Sequence, residues 1–580
     1  MAEYLSPGVY VEEFDSGSVP MEGVGTSTAG FIGVAEKGPA QGAPVLVTNF
    51  ADFRRIFGSY LSEREFGGYR YLAYSVNQFF TNGGTRCFVK RVVPSDALYA
   101  GNTEDAESAP VVIYAKDPGA WGNKVVVKAA PSSRFKTQIL ELVKVDNEKD
   151  AKYRVKSAAG LAEGDVIAFT DGTTRTENVV TSVDGDLISL AKPFDETVVD
   201  TALVPKKVIM TCTADIEVSY DGQSEKYEFV DLNPASPDFI NTRLAKSELI
   251  TVNATVPETP VSLYELLTGR AQGGEAIINL FGGTNGTKEA LSAGDFIGED
   301  KGPGDRTGIQ AFIDNSDVSI MAVPGVTDPN VQMSLVAHCE NMGSRFAILD
   351  LPRDVRNVND IIAQRDIFDT SYAAMYHPWV KVFDPLIKNS AAIPPSGSIA
   401  GIYARSDNSR GVWKAPANEV VSACVGLDCA YTAGEQDILN PRGVNLIRSF
   451  PGQGIKVWGA RTLSSSGQWK YINVRRLFIF LEESIKANTS WVVFEPNDTA
   501  LWLRVKRTIE VFLSGMWKNG AFAGGSEDEA FFVDIGQNTM SRDDIDNGRL
   551  VCVIGVAPVK PAEFVVFRLT QKTAESAAAE

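Results

Sequence analysis

Two hydrophobic periods alternate along the chain: short apolar runs bounded by Gly and Pro, and longer stretches in which apolar residues recur every three or four positions. Over residues 29 to 93 the pattern predicts strands at Gly30 to Ala35 and Pro44 to Val47 and helices around Asp52 to Phe57 and Tyr69 to Phe80. Asn82-Gly83-Gly84 stops the second helix before a strand from Arg86 to Val92. Residues 111 to 255 change character, because β-branched runs are punctuated by Asp171-Gly172, Asp184-Gly185 and Asp221-Gly222, the turn signals of hairpins. Within that β domain, residues 151 to 208 carry their own short strands and read as an inserted domain. From 286 to 435, apolar strands at Val318 to Val323, Phe346 to Leu349 and Trp379 to Phe383 alternate with helical stretches, which predicts a sheet flanked by helices. Residues 440 to 560 hold two amphipathic helices, near 471 to 487 and 498 to 518; the second buries a stripe of Leu501, Val505, Ile509, Phe512, Leu513 and Met516.

Both ends read as strands that gain little by folding alone. Pro7-Gly8 opens Val9-Tyr10-Val11, followed by Glu12-Glu13 and a Gly/Ser/Pro stretch to Pro20; Pro561-Ala562-Glu563 precedes Phe564 to Leu569 and a frayed tail. So short a terminal strand either frays or pairs with a sheet edge, its own or a neighbour's. No internal repeat is visible.

At 580 residues the chain exceeds one hydrophobic core, so three or four domains are expected. Its 73 acidic and 55 basic residues leave a net charge of −18, a field that repels nucleic acid and anionic membranes and calls for a basic partner or a local basic patch. The start MAEYLSPGVYVEE lacks the basic-then-apolar order of a signal peptide, and no run of about 18 apolar residues occurs, so cytoplasmic synthesis without membrane insertion is expected. Six scattered cysteines, the closest pair being Cys424 and Cys429, lack the second pair that a zinc site needs and read as reduced, buried thiols.

Chemistry is further limited by there being only two histidines, His338 and His377. No G-x-S-x-G elbow or H-E-x-x-H occurs, and at His377, beside Pro378 and Trp379, packing outweighs catalysis. Gly282-Gly283-Thr284-Asn285-Gly286-Thr287-Lys288 lacks the spacer of a phosphate loop, and Gly452-Gln453-Gly454 is not completed, since Val457 stands in the last position. Paired carboxylates such as Glu482-Glu483 and Asp543-Asp544 read as solvated faces. No catalytic residue, cofactor or metal is therefore expected.

Several stretches nonetheless form a consistent set. The start SPGVYVEE, DPGAWGNKVVV (Asp117 to Val127), LFGGTNG (Leu280 to Gly286) and PPSGSIAGIYARSDNSRGVWKAPAN (Pro394 to Asn418) are followed by NPRGVNLIR (Asn440 to Arg448) and VWGARTL (Val457 to Leu463). YINVRRLF (Tyr471 to Phe478), VFEPND (Val493 to Asp498) and IGVAPVKPAEFVVFRL (Ile554 to Leu569) complete it. In this order the motifs resemble the tail sheath proteins of contractile phages, R-type bacteriocins and extracellular contractile injection systems over nearly the whole chain; the 151 to 208 insertion has no counterpart in minimal members.

The resemblance implies a multidomain α/β plus β fold. Its parts are a central α/β sheet domain, inserted β-sandwich or β-barrel domains, and an α+β carboxy-terminal domain with extended terminal arm strands. The implied organisation is an arm at 1–20, an α/β segment at 21–95, a β-rich domain at 96–280 with its insertion, a central domain at 281–438 that is subtilisin-like in fold only, an inner tube-facing domain at 439–560, and an arm strand and tail at 561–580. It also implies hexameric rings stacked helically around an inner tube protein, a baseplate and a terminator or cap, and contraction that drives the tube through a target envelope. Val9, Tyr10, Val11, Phe564, Val565, Val566 and Phe567 are the candidate inter-subunit strand residues. Arg504, Lys506, Arg507 and Lys518, lying off the apolar stripe in an acidic chain, are candidate tube contacts, with Arg475 and Arg476 next in line. A particle-associated polysaccharide-binding or hydrolysing protein is the alternative that the β domains and carboxylates suggest. A two-chain secretion-system sheath dismantled by an ATPase ranks lower, because both halves stand here in one chain.

Overall fold

The computed structural model of the protein describes residues 21–143, 152–170, 175–192 and 208–566, apart from 258, 260, 271 and 272. Its centre is a nine-stranded sheet in the order Val45–Val47, Cys87–Val92, Ala29–Val34, Ile320–Ala322, Phe346–Asp350, Ala373–His377, Val444–Phe450, Gly454–Val457 and Glu419–Val420. The five pairings from Cys87–Val92 through Val444–Phe450 are parallel, and antiparallel strands close both edges. Period-two alternation sends Phe31, Ile320, Phe346, Ile348 and Tyr376 to one face and Ile32, Met321, Ala347, Leu349 and Met375 to the other, and each face carries its own core.

Helices Leu72–Thr81 and Ser396–Arg410 cover the first face, and Pro329–Met342 lies on the second. The first two helices touch backbone to backbone: a Cβ on Gly397 would lie 2.3 Å from the Ser75 carbonyl oxygen, and one on Gly401 2.4 Å from that of Phe79. The glycines of the GSIAG run are thus a close-packing device, which any larger residue would pry apart.

Trp379 to Phe383 does not join this sheet as expected. Val380–Asp384 pairs with Asn389–Ile393 and Gly426–Leu427 in a separate three-stranded sheet, and the central position belongs to Ala373–His377. Val444–Phe450 and Gly454–Val457, placed by sequence beyond the 438/439 division, are strands of the central sheet. Val444–Phe450 takes its register from parallel Ala373–His377, and Gly454–Val457 follows it as an antiparallel hairpin partner.

The β region packs a four-stranded sheet (Gln223–Val230, Thr213–Tyr220, Val126–Ser132, Ala276–Asn279) over the pair Ile250–Ala254 and Val111–Ala115, with one shared core. The hairpin turns at Asp221 and Gly222, whose φ values of 45° and 82° are the pair that a two-residue primed turn requires. A closed six-stranded barrel extends from it, formed by strands between Lys136 and Thr211 around Val155, Ile167, Val180, Ile188 and Ile209. Lys136–Val143 belongs to the barrel, so the inserted unit begins well before residue 151. The Asp171-Gly172 turn lies outside the described residues.

Candidate assembly surface

The carboxy-terminal unit is built on helices Ile472–Asn488 and Thr499–Lys518. Asp498 caps the second by accepting the Leu501 amide at 2.8 Å. Leu501, Val505, Ile509, Leu513 and Met516 are buried against Leu477, Leu481, Phe531 and Val533, as their spacing predicts, while Phe512 is half-buried at the margin. Phe531–Ile535 and Cys552–Val556 form an antiparallel pair on this helix, and neither outer edge has a strand partner among the described residues. Phe531 and Val533 point inward; Phe532 (58% exposed) and Val553 (44%) point out. A two-stranded sheet with open edges and an apolar outer face is a ready template for added strands.

The first and last described residues both lie against this unit. Phe564, Val565 and Val566 are 75%, 68% and 78% exposed and belong to no strand among the described residues. They follow Glu563, whose carboxylate accepts hydrogen bonds from Arg461 Nε (2.8 Å) and Nη2 (2.6 Å), Asn440 Nδ2 (2.7 Å) and the Tyr471 hydroxyl (3.2 Å). Burial pushes this carboxyl up, but Arg461, Asn440 and Lys470 outweigh burial and hold it below the ordinary range. Val9, Tyr10, Val11 and Phe567 lie outside the described residues.

The basic candidates divide. Arg504 pairs with Glu495 at 3.1 Å beside the Trp491 ring, and Lys506 approaches Glu510 at 3.8 Å. Arg507 and Lys518 are exposed without an ion pair among the described residues. Leu503 (64% exposed) and Val511 (61%) share the outer face with Arg507 at four-residue steps, so this face is mixed apolar and basic rather than basic alone. Arg475 and Arg476 are no surface candidates. Arg475 is buried over the Trp469 ring, 3.5 Å from its centroid, and bonds Ser371; Arg476 forms an ion pair with Asp407 that is almost fully enclosed. Sequence reports that both are charged, but the helix's rotation turns them inward, toward the central sheet.

Other polar clusters are committed to structure. Asp350 accepts hydrogen bonds directly from the Ser396 amide (2.9 Å) and hydroxyl (2.7 Å), with no histidine between them. His338 Nε2 accepts from Arg345 at 3.1 Å, since a guanidinium only donates, and His377 Nε2 contacts the Tyr431 hydroxyl at 2.8 Å. Glu563, Arg461 and Tyr471 each lie inside one of the quoted motifs, but no sequence signal marks them individually, since they meet only in the folded chain.

Two family models match end to end: the phage tail sheath protein central domain over residues 301–463 and the phage tail sheath C-terminal domain over residues 464–572. A prophage major tail sheath protein of Pseudomonas aeruginosa (strain UCBPP-PA14) is 25% identical over 320 residues, 53% of this chain and 78% of that one. The tail sheath protein of Salmonella phage ViI is 26% identical over 214 residues, 33% of this chain and 34% of that protein. Among solved structures, the sheath complex of PVC, an extracellular contractile injection system, in its contracted state has a similar fold (TM-score 0.52, 21% identity, 99% of this chain and 100% of that one). So does the contracted helical sheath of the anti-feeding prophage (TM-score 0.51, 20% identity, 98% of this chain and 100% of that one). On the two adjoining domain models and the curated relatives, the chain belongs to the contractile tail sheath family, a structural sheath subunit and not an enzyme.

Proposed function

We propose that the protein polymerises as hexameric rings, stacked helically around a rigid inner tube between a baseplate and a terminator, and contracts to drive that tube through a target envelope. The observation that carries this reading is the open-edged sheet of Phe531–Ile535 and Cys552–Val556, in the same unit from which Phe564 to Val566 depart. A neighbour's arm strand added there satisfies edge amides and carbonyls at about 0.5–1.5 kcal/mol per hydrogen bond. Arms of this kind tether subunits while their domains rotate, so a small gain per subunit, summed over many copies, powers contraction without nucleotide. Assembly takes place in the cytoplasm, and the product is a virion tail or a tail-like particle.

The outer face of Thr499–Lys518 supplies the grip on the tube through Arg504, Lys506, Arg507 and Lys518, with Leu503 and Val511 between them. Separated exposed pairs contribute only about 0–1 kcal/mol each, weak enough to release together. Electron microscopy of the chain assembled with its tube protein tests the reading: striated cylinders are expected, where a polysaccharide-binding protein stays a discrete oligomer. Reversing Arg504 and Arg507 to Glu should lower the yield of extended sheath while tube-free contracted sheath still forms. Raised salt should mimic the reversal. Unchanged extended particles from the double reversal would place the tube contact elsewhere.

A further inference from the structure

One stripe of the Ile472–Asn488 helix holds the chain that leads into the amino-terminal arm. Arg476, Phe480, Ser484 and Asn488 succeed one another at four-residue steps, and residues 22 to 26 run antiparallel along them. The Asn488 amide group and the Glu22 backbone exchange two hydrogen bonds, of 3.3 and 2.8 Å. A Cβ on Gly23 would meet the Phe480 ring at 2.5 Å, and the Ser484 hydroxyl accepts the Val24 amide at 3.1 Å. Arg476 donates to the Thr26 carbonyl at 3.0 Å while pairing with Asp407, which also accepts the Thr26 hydroxyl at 2.7 Å.

The other arm is rooted at the opposite end of the same helix. Tyr471, the residue capping its start, bonds Glu563, and Asn473 in its first turn donates to the Val559 carbonyl at 3.1 Å. Arg461, backbone-bridged to Tyr471, holds Glu563 in a two-pronged pair. Glu22, where the amino-terminal segment meets Asn488, and the Glu563 root are therefore separated by one helix of 17 residues, about 25 Å long.

We propose that the Ile472–Asn488 helix is the tension member of the subunit, and that the Asp407–Arg476 and Arg461–Glu563 pairs are the positioning residues that fix where each arm departs. This rests on the reading that the arms link subunits. Force entering by one arm then leaves by the other along the helix axis, and the central sheet and β domains are not loaded. Both pairs are largely withdrawn from solvent, with side-chain exposures of 3% and 4% for Asp407 and Arg476 and 7% and 18% for Arg461 and Glu563. Salt therefore screens them far less than it screens the exposed cations of the outer helix.

The test is to pull single full-length subunits by handles on the two termini. Only peeling of residues 21 to 28, or of 559 to 563, can release chain before a domain is loaded, so the first step should be about 30 Å or less. Its force should be insensitive to salt and drop roughly twofold in Asp407→Asn and in Glu563→Gln, each of which removes one charge of an enclosed pair. The two substitutions act on different arm roots, so failure of one variant to fold leaves the other as the test. A first step that releases a whole domain's length, or forces unchanged in both variants, would overturn the proposal. Normal cylinders from a chain lacking residues 1–20 would remove the arm reading and this proposal with it, whatever the forces.

Discussion

Asp350 and the two histidines pull the acid stability of the central sheet in opposite directions. Burial lowers His338 and His377 to about 4, with the Arg345 cation adding to the effect at His338. Burial pushes Asp350 up to about 6, against the hydrogen bonds from Ser396 and Gly325. Between pH 6.5 and about 4 the unfolded histidines bind protons that the folded ones refuse, so their contribution is lost as pH falls. Asp350 has the reverse sign: its contribution is full below the unfolded value of 3.8 and is lost as pH rises through about 6. Asp350→Asn should therefore make the loss of stability between pH 6.5 and 4 greater than in the wild type, by at most about 3 kcal/mol for a displacement of about two pH units, and the fall in Tm correspondingly steeper. Parallel Tm profiles for the two proteins would contradict this. At this scale the sequence conveyed residue type better than direction. The stripe from Leu501 to Met516 was readable because period alone fixes it, whereas the inward turn of Arg475 and Arg476 depends on where the helix docks, which no local pattern encodes.

The barrel is the element whose boundaries the structure changes most. Ser132 and Thr213 are register partners in the sandwich, their hydroxyls 2.9 Å apart, so the barrel is carried on what would otherwise be the tip of a hairpin. Replacing residues 133 to 212 with an Asn-Gly turn should give a folded sandwich that still assembles, because that dipeptide closes a two-residue hairpin. The sandwich would lose the hydrogen bonds of Asn233 to Asp165 and of Ser262 to Glu177, each about 1.5–3 kcal/mol as a bond to a carboxylate, and water can replace the lost partners. Removing only 151–208 should aggregate, since Lys136–Val143 would keep only Ile209 to Thr211 as a partner, with Ile139 and Ile209 exposed. Soluble, ring-forming protein from the shorter cut and none from the longer would contradict this account; thermal melts and particle images decide. The Asp-Gly signals mark the hairpin at Asp221 but not the strand Lys136–Val143, which follows the sandwich strand Val126–Ser132 after only three residues and with no Asp-Gly turn between them. Ala373–His377 escaped notice for a related reason: Ala, Met and His carry little strand propensity, and its parallel neighbours determine the pairing.

For the molecule as a whole, the order of motifs carried more information than any one of them. Their joint meaning becomes physical in the structure: GSIAG lets two helices touch, while VWGARTL, YINVRRLF and VKPAEF meet at Glu563. What the sequence could not supply was their convergence on one helix, because Arg461, Tyr471 and Glu563 come together only when the central sheet and the carboxy-terminal unit are both formed. In the proposed function, strands exchanged at the termini turn separate subunits into a sheath. The most direct test is the length of cylinders formed by the full chain and by a chain lacking residues 1–20, compared by electron microscopy at matched concentration. The truncated protein should remain soluble, with an unchanged fold by circular dichroism, and yield no long cylinders, whereas cylinders of full length from it would contradict the claim.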